Sequence, residues 1–196
     1  MRSIVFSLML SAVAAGSLVA QGQSQQPAKG SSQPVARIES GPGTGDMAPN
    51  FRLPWASSDS IGPMADDFIL QRHVGKVVVL AFYPKDFTTG CTAEMKAFGE
   101  RFEELFGDAV VVGISADSLE SHQRFAASLD LPFQLLSDPN QRVARLYGSQ
   151  GENYPRRTVF VINAEGRVTY RDMRFGALDA TAYDKLKAAV QAAAKG

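Results

Sequence analysis

The chain has 196 residues, 45% of them hydrophobic, and carries 20 basic against 20 acidic side chains for a formal net charge of +0. That length accommodates one globular domain of roughly 100–200 residues plus a smaller segment. The charge balance excludes the clustered excess of Lys and Arg that nucleic-acid binding requires, and a single cysteine excludes an intramolecular disulfide.

Met1-Arg2 gives a positive start, Ile4 to Ala20 is apolar and small, and polar Gln21-Gly22-Gln23-Ser24 follows. This pattern predicts a secretory signal peptide over residues 1–20, cleaved after Ala20 or Gly22. A membrane-spanning helix competes, but the run is rich in Ala, Ser and Gly and has no positive flank behind it. No cysteine stands nearby to carry a lipid, so the mature protein is expected to be periplasmic or secreted, with no stable membrane insertion. Residues 21–45 are Gln, Ser, Gly and Pro with almost no large apolar residue. Such a stretch cannot offset its ordering entropy by burial and reads as a flexible linker, with a partner-binding tail as the alternative.

The folded domain is expected over residues 46–196, without internal repeats. Val77 to Tyr83 and Val110 to Ile114 are continuous apolar runs of strand length, which suits parallel strands buried on both faces. Between them Met95, Phe98, Phe102, Leu105 and Phe106 recur at helical spacing, and Gly107-Asp108 supplies a stop. Ser118 caps a second helix to about Leu129, Phe133 to Leu136 suits a short strand, and Asp138-Pro139 opens a short helix to Tyr147. Thr158 to Asn163 and Arg167 to Arg171 read as a hairpin turning at Ala164-Glu165-Gly166. A last helix starts near Asp179, with Tyr183, Leu186 and Val190 on one stripe. A parallel βαβ unit followed by a hairpin and a helix predicts an α/β thioredoxin-like fold, a central mixed sheet flanked by helices.

The chemistry sits where the first strong strand meets the first strong helix. Cys91 falls in the first turn of that helix, where unpaired backbone N–H groups and the positive end of the helix dipole stabilise an anion, so the thiol is poised as a nucleophilic thiolate. A lone cysteine is more commonly a buried, inert small hydrophobe. In an exported protein, one unpaired thiol in an anion-stabilising turn points instead to a reactive group or an intermolecular bridge.

The residues around it resemble a known family. Pro84, Thr88 and Cys91 meet the spacing Pro-x-x-x-Thr-x-x-Cys, which resembles the active-site signature of the peroxiredoxin family, the alkyl hydroperoxide reductase and thiol-specific antioxidant type. The wider run Phe82 to Thr88 is similar to the bacterioferritin comigratory protein branch. Gly45 to Pro54 resembles that family's opening segment, Gly113 to Asp117 the exit of its second strand, and Arg157 to Asn163 the strand bearing its active-site arginine. The resemblance implies a thiol-dependent peroxidase reducing hydrogen peroxide and organic hydroperoxides through a Cys91 sulfenic acid. Cys91 would be the nucleophile, Thr88 the hydrogen-bond partner of thiolate and peroxide, Arg157 the cation and Pro84 a shield. Thr88 as a simple helix cap, Arg157 as a surface ion pair and Arg156 as the cation instead are the competing assignments.

Ionisation alone gains little: moving a thiol from about 8.5 to about 6 raises the thiolate fraction at pH 7 about thirtyfold, roughly 2 kcal/mol. Nucleophilicity falls as ionisation becomes easier, so the larger task is to stabilise charge moving onto the leaving oxygen. The Thr88 hydroxyl, the Arg157 guanidinium and the Cys91 backbone N–H are the expected donors.

The sequence also departs from the family pattern. Thr89 stands where the comigratory branch usually has proline, and Lys96 stands five residues after Cys91, where many of that branch carry a resolving cysteine. A one-cysteine cycle is therefore expected, with an external thiol as reductant, whether a thioredoxin-like protein, a glutaredoxin-like protein or a small thiol. No cofactor is implied. No metal site is expected either, because His73 and His122 are far apart and lack ligand spacing, which leaves them surface or structural roles. Trp55 reads as packing near the start of the domain, and Glu94 either orders the site or simply favours the helix dipole. A thioredoxin-like disulfide oxidoreductase would need Cys-x-x-Cys, and Glu94 occupies the second position. A non-catalytic binding or chaperone module on the same scaffold is the remaining alternative.

Overall fold

The two apolar runs lie at the centre of the sheet in a computed structural model, which describes residues 40–196. The expected signal peptide and residues 21–39 of the expected linker lie outside the described residues. In chain order the elements are β1 (Arg52–Leu53), β2 (Trp55–Ala56), β3 (Phe68–Ile69), β4 (Val78–Phe82), α1 (Thr89–Glu100), α2 (Phe102–Phe106), β5 (Val110–Ser115) and α3 (Leu119–Leu129). β6 (Gln134–Ser137), α4 (Arg142–Leu146), β7 (Thr158–Ile162), β8 (Val168–Asp172) and α5 (Ala180–Ala193) complete the series.

The main sheet has six strands in the order β2-β6-β5-β4-β7-β8, and β1 pairs with β3 in a separate two-stranded sheet. β4, β5 and β6 run parallel, while β7, β8 and β2 are antiparallel to their neighbours. The alternating pleat of the strands divides the core in two. Val79, Ala81 and Tyr83 point with Val111, Val159 and Val161 towards Met95, Phe98, Phe125, Leu186 and Val190 of α1, α3 and α5. Val78, Leu80 and Phe82 point with Val112, Ile114 and Phe160 towards Phe51, Phe68, Val143 and Tyr147. Every side chain of β4 is buried, as expected of a central strand covered on both faces. Gly113 of β5 leaves the room that the Leu135 side chain and the Tyr83 ring occupy, since a Cβ there would stand 2.6 Å from Leu135 Cδ2 and 3.1 Å from Tyr83 Cε1.

Three boundaries differ from the sequence reading. The expected linker end is packed on the domain: Gly41 and Pro42 are buried, the Gly45 N–H donates to Val168 O at 2.7 Å, and Arg171 Nη1 donates to the Ser40 and Pro42 carbonyls. Backbone pairing with β8 anchors these residues where composition alone suggested a tether. The helix after β4 is two, broken at Arg101, whose φ of −112° and ψ of 24° interrupt the helical backbone. α4 begins at Arg142 rather than at Pro139. The Asp138 carboxylate reaches over an intervening turn to accept from the N–H groups of Arg142, Val143 and Ala144.

The Ser118 cap is as expected, its hydroxyl accepting from Ser121 N, and Asp179 caps α5 by accepting from Thr181 N. Gly166, at φ +80°, turns the β7–β8 hairpin. Trp55 is half-buried in β2, with Nε1 donating to Asp66 O at 2.7 Å, and the His73 ring stacks on Phe68 at 4.6 Å. Among the described residues no helix is long and apolar enough to cross a membrane.

Candidate active site

Cys91 is the third residue of α1 and is 0% exposed. Thr88 is the residue at the N-cap, and the first intrahelical bond is Thr92 N to Thr88 O at 2.8 Å. The Cys91 N–H therefore belongs to the first turn, whose donors have no helical acceptor.

Sheet register brings Arg157 to this turn. Phe82, the last residue of β4, pairs with Thr158, the first of β7. The residue before Thr158 therefore leaves the sheet beside the loop that follows Phe82. Arg157 Nη2 donates to Cys91 Sγ at 3.2 Å, and Nη1 donates to Glu94 Oε2 in an ion pair. Arg156 points elsewhere, its Nη2 donating to Gly148 O. The two candidate cations are thus distinguished by geometry, and only Arg157 faces the sulfur.

Glu94 is 0% exposed, one helical turn beyond Cys91. Its Oε1 has no hydrogen-bond partner, and burial pushes the carboxyl up to about 7 against the downward pull of Arg157. Burial works against the charge on Arg157, but Glu94 and Cys91 together hold the guanidinium above its ordinary range. Sequence reading left Glu94 between ordering the site and favouring the dipole. Its contact is with the guanidinium, whose orientation it fixes.

Thr88 differs from expectation. Its hydroxyl is exposed and donates to Lys85 O at 3.0 Å, with no bond to Cys91 and no side-chain cap on α1. The Lys85 carbonyl, three residues back in the same tight loop, takes the hydroxyl's proton, so the hydroxyl closes the loop. Pro84 is half-buried at the exit of β4. Lys85 Nζ lies 5.4 Å from the Tyr154 ring centre, joining this loop to the one that precedes Arg157.

Gly90 was not singled out in the sequence. A Cβ there would stand 3.2 Å from Arg157 Nη2, so its bare backbone leaves space for the nitrogen that holds the sulfur. Glycine directly before a reactive cysteine was the available signal. Among the described residues no group of three His, Cys, Asp or Glu could hold a metal.

Residues 44–171 match the AhpC/TSA family. The chain is 40% identical over 131 residues to the peroxiredoxin bcp of Helicobacter pylori strain J99, covering 62% of this chain and 82% of that protein. It is 38% identical over 135 residues to peroxiredoxin Bcp of Bacillus subtilis, covering 63% and 80%. Among solved structures, peroxidoxin BcpB from Mycobacterium tuberculosis superposes with a TM-score of 0.66 at 30% identity, covering 77% of this chain and 97% of that one.

Proposed function

This chain belongs to the AhpC/TSA family and is a thiol-dependent peroxidase, and on that premise we propose that Cys91 is its peroxide-reacting atom, held ready by Arg157 and regenerated by an external thiol. The observation that carries the assignment is the 3.2 Å contact of Arg157 Nη2 with Cys91 Sγ at the start of α1.

The thiolate attacks the terminal oxygen of a hydroperoxide, an S–O bond forms and the O–O bond breaks. In balance, Cys91–S⁻ + ROOH + H⁺ gives Cys91–SOH + ROH. Negative charge moves from sulfur to the departing RO oxygen. The guanidinium fork can donate to both, and the open Cys91 N–H supplies a further preorganised donor. Glu94 holds Nη1, which aims Nη2 at the reaction. The Thr88 hydroxyl spends its only proton on Lys85 O, so its lone pairs remain to accept the O–H of a bound hydroperoxide. Pro84 bounds the loop on the strand side as a shield.

One cysteine in the chain means the sulfenic acid meets a foreign thiol. Cys91–SOH + R′SH gives Cys91–S–SR′ + H₂O, and a second R′SH releases the Cys91 thiol and R′SSR′. The apolar run from Ile4 to Ala20 behind Arg2 supports export to the periplasm or beyond, which N-terminal sequencing of the mature protein tests. Peroxide consumption by the purified protein, supplied in turn with thioredoxin, glutaredoxin and glutathione, tests the activity. Consumption that persists in Cys91→Ser would remove Cys91 from it.

A further inference from the structure

A second buried polar cluster lies behind the active-site loop and forms no hydrogen bond to Cys91 or Arg157. Asp86 is 4% exposed, and Tyr83 and His122 are 0% exposed. Tyr83 Oη donates to Asp86 Oδ1 at 2.7 Å, while Oδ2 accepts from Ser121 Oγ at 2.8 Å and faces His122 Nδ1 at 3.0 Å. His122 Nε2 faces Leu136 O at 3.2 Å. A carbonyl only accepts, so Nε2 carries a proton. Burial would raise the Asp86 carboxyl, but the hydrogen bond and charge of His122 hold it below its ordinary range. The Asp86 carboxylate and the His122 ring thus face each other as a buried hydrogen-bonded pair, both side chains fully enclosed.

The same loop is gripped twice more. The Asp86 N–H donates to Asp117 Oδ2 at 3.0 Å, and the Phe87 ring packs on Phe125 at 5.0 Å. Ser121, His122 and Phe125 lie on one face of α3, and they hold the two residues that immediately precede Thr88. Phe87 sits at φ +57°, a conformation that a bulky L-residue adopts only when its surroundings impose it.

The sulfur is fully buried and the chain has no second cysteine to carry its oxidation outward. A reducing thiol must form a bond to that sulfur, which requires the first turn of α1 and its leading loop to move aside. Peroxide attack requires the opposite, with Cys91, Arg157 and the loop closed together. We propose that the Asp86–His122 pair, with Ser121, is a latch between α3 and the active-site loop that sets the balance between a closed site competent for peroxide and an opened site accessible to thiols. These are positioning residues. The proposal rests on the peroxidase reading above, and its signature is that loosening the latch shifts the two half-reactions in opposite directions.

The test uses the full chain as His122→Gln and Ser121→Ala, with Val168→Ala as a control that thins the core at the far end of β8. Single-turnover oxidation of Cys91 by hydrogen peroxide should slow at least tenfold in His122→Gln. Capture of the reduced thiol by N-ethylmaleimide and reduction of the preformed sulfenic acid by glutathione should each quicken severalfold, with faster amide exchange over residues 86–91. Val168→Ala should lower the melting temperature and leave these rates alone. Should His122→Gln not fold, Ser121→Ala removes one bond to the same carboxylate oxygen and should move the rates the same opposed ways by a smaller factor. Rates that fall together, rates that stay at wild-type values, or a control that reproduces the pattern would overturn the latch. Wild-type protein inert to peroxide would sink the peroxidase reading, while maleimide capture and amide exchange would still decide the latch.

Discussion

Arg157 Nη2 donates to Cys91 Sγ across 3.2 Å, joining residues 66 apart in sequence through one register pair of the sheet. Because Thr158 is locked opposite Phe82, the residue just before β7 is held where its guanidinium reaches the sulfur. Its side chain is largely shielded, at 18% exposure, so its charge acts at reduced screening.

Replacing this arginine is expected to be costly. Arg157→Met keeps much of the stem and deletes both donors, and the loss of one preorganised charged donor costs about 10²–10³ in rate, roughly 3–4 kcal/mol. Arg156→Met, which loses only a contact to Gly148 O, should keep its peroxide rate within about threefold. Stopped-flow oxidation of both variants decides the matter, and a larger loss in Arg156→Met would reverse the assignment.

Glu94 makes stability depend on pH in a defined direction. Its folded-state value of about 7 lies above the ordinary 4.5, so the folded protein binds this proton more tightly than the unfolded chain does. Its contribution is complete below about 4.5 and is lost as pH rises through about 7, at most about 3 kcal/mol over that window. Glu94→Gln, fixed in a neutral form, should lack this slope. Urea unfolding of both proteins at pH 5, 6, 7 and 8 should therefore show the difference moving in favour of Gln as pH rises. Parallel pH dependences would mean that the carboxylate is ionised throughout.

Gly90→Ala separates stability from reactivity. Alanine favours a helix over glycine by up to about 1 kcal/mol, so the melting temperature should hold or rise. The new Cβ would press on Arg157 Nη2 from 3.2 Å and displace the donor from the sulfur by a few tenths of an ångström. Peroxide oxidation should slow about tenfold in a protein no less stable, since small misplacements of a catalytic donor are expensive. An unchanged rate would show that the guanidinium has room to spare.

The parts legible in the sequence were those with a strong local signal. The central strands, the Ser118 cap, the hairpin and the placement of Cys91 in a first turn all follow from runs, spacings and caps within a few residues. β1, β2 and β3 have two residues each and carry no periodicity to read. The start of α4 depends on a carboxylate reaching four to six residues ahead, and the anchoring of Ser40 to Gly45 depends on β8, more than 120 residues away. Thr88 was correctly placed but its hydroxyl direction is a rotamer choice settled by Lys85 O. His122 was left between surface and structural roles, because its partner Asp86 lies 36 residues earlier and only the fold brings them together.

The oxidation products follow from the cysteine count and the burial of the sulfur. One equivalent of hydrogen peroxide should add a single oxygen to the intact mass, and no internal disulfide can follow because Cys91 has no second thiol in the chain. Excess peroxide without reductant should carry the same sulfur to sulfinic and sulfonic acids, in steps of one further oxygen each. Added small thiol should instead give a mixed disulfide and then restore the thiol. Cys91→Ser should take up no oxygen at this position and consume no peroxide while keeping its fold, since a hydroxyl hardly ionises at neutral pH. The rival product is a dimer joined through two Cys91 residues. A sulfur at 0% exposure beneath α1 and Arg157 hinders two domains from meeting there, so covalent dimer should remain a minor species. Intact mass spectrometry and non-reducing electrophoresis along one peroxide titration separate these products. A fast, predominant Cys91–Cys91 dimer, reversed by thiol, would replace the monomeric sulfenic acid cycle.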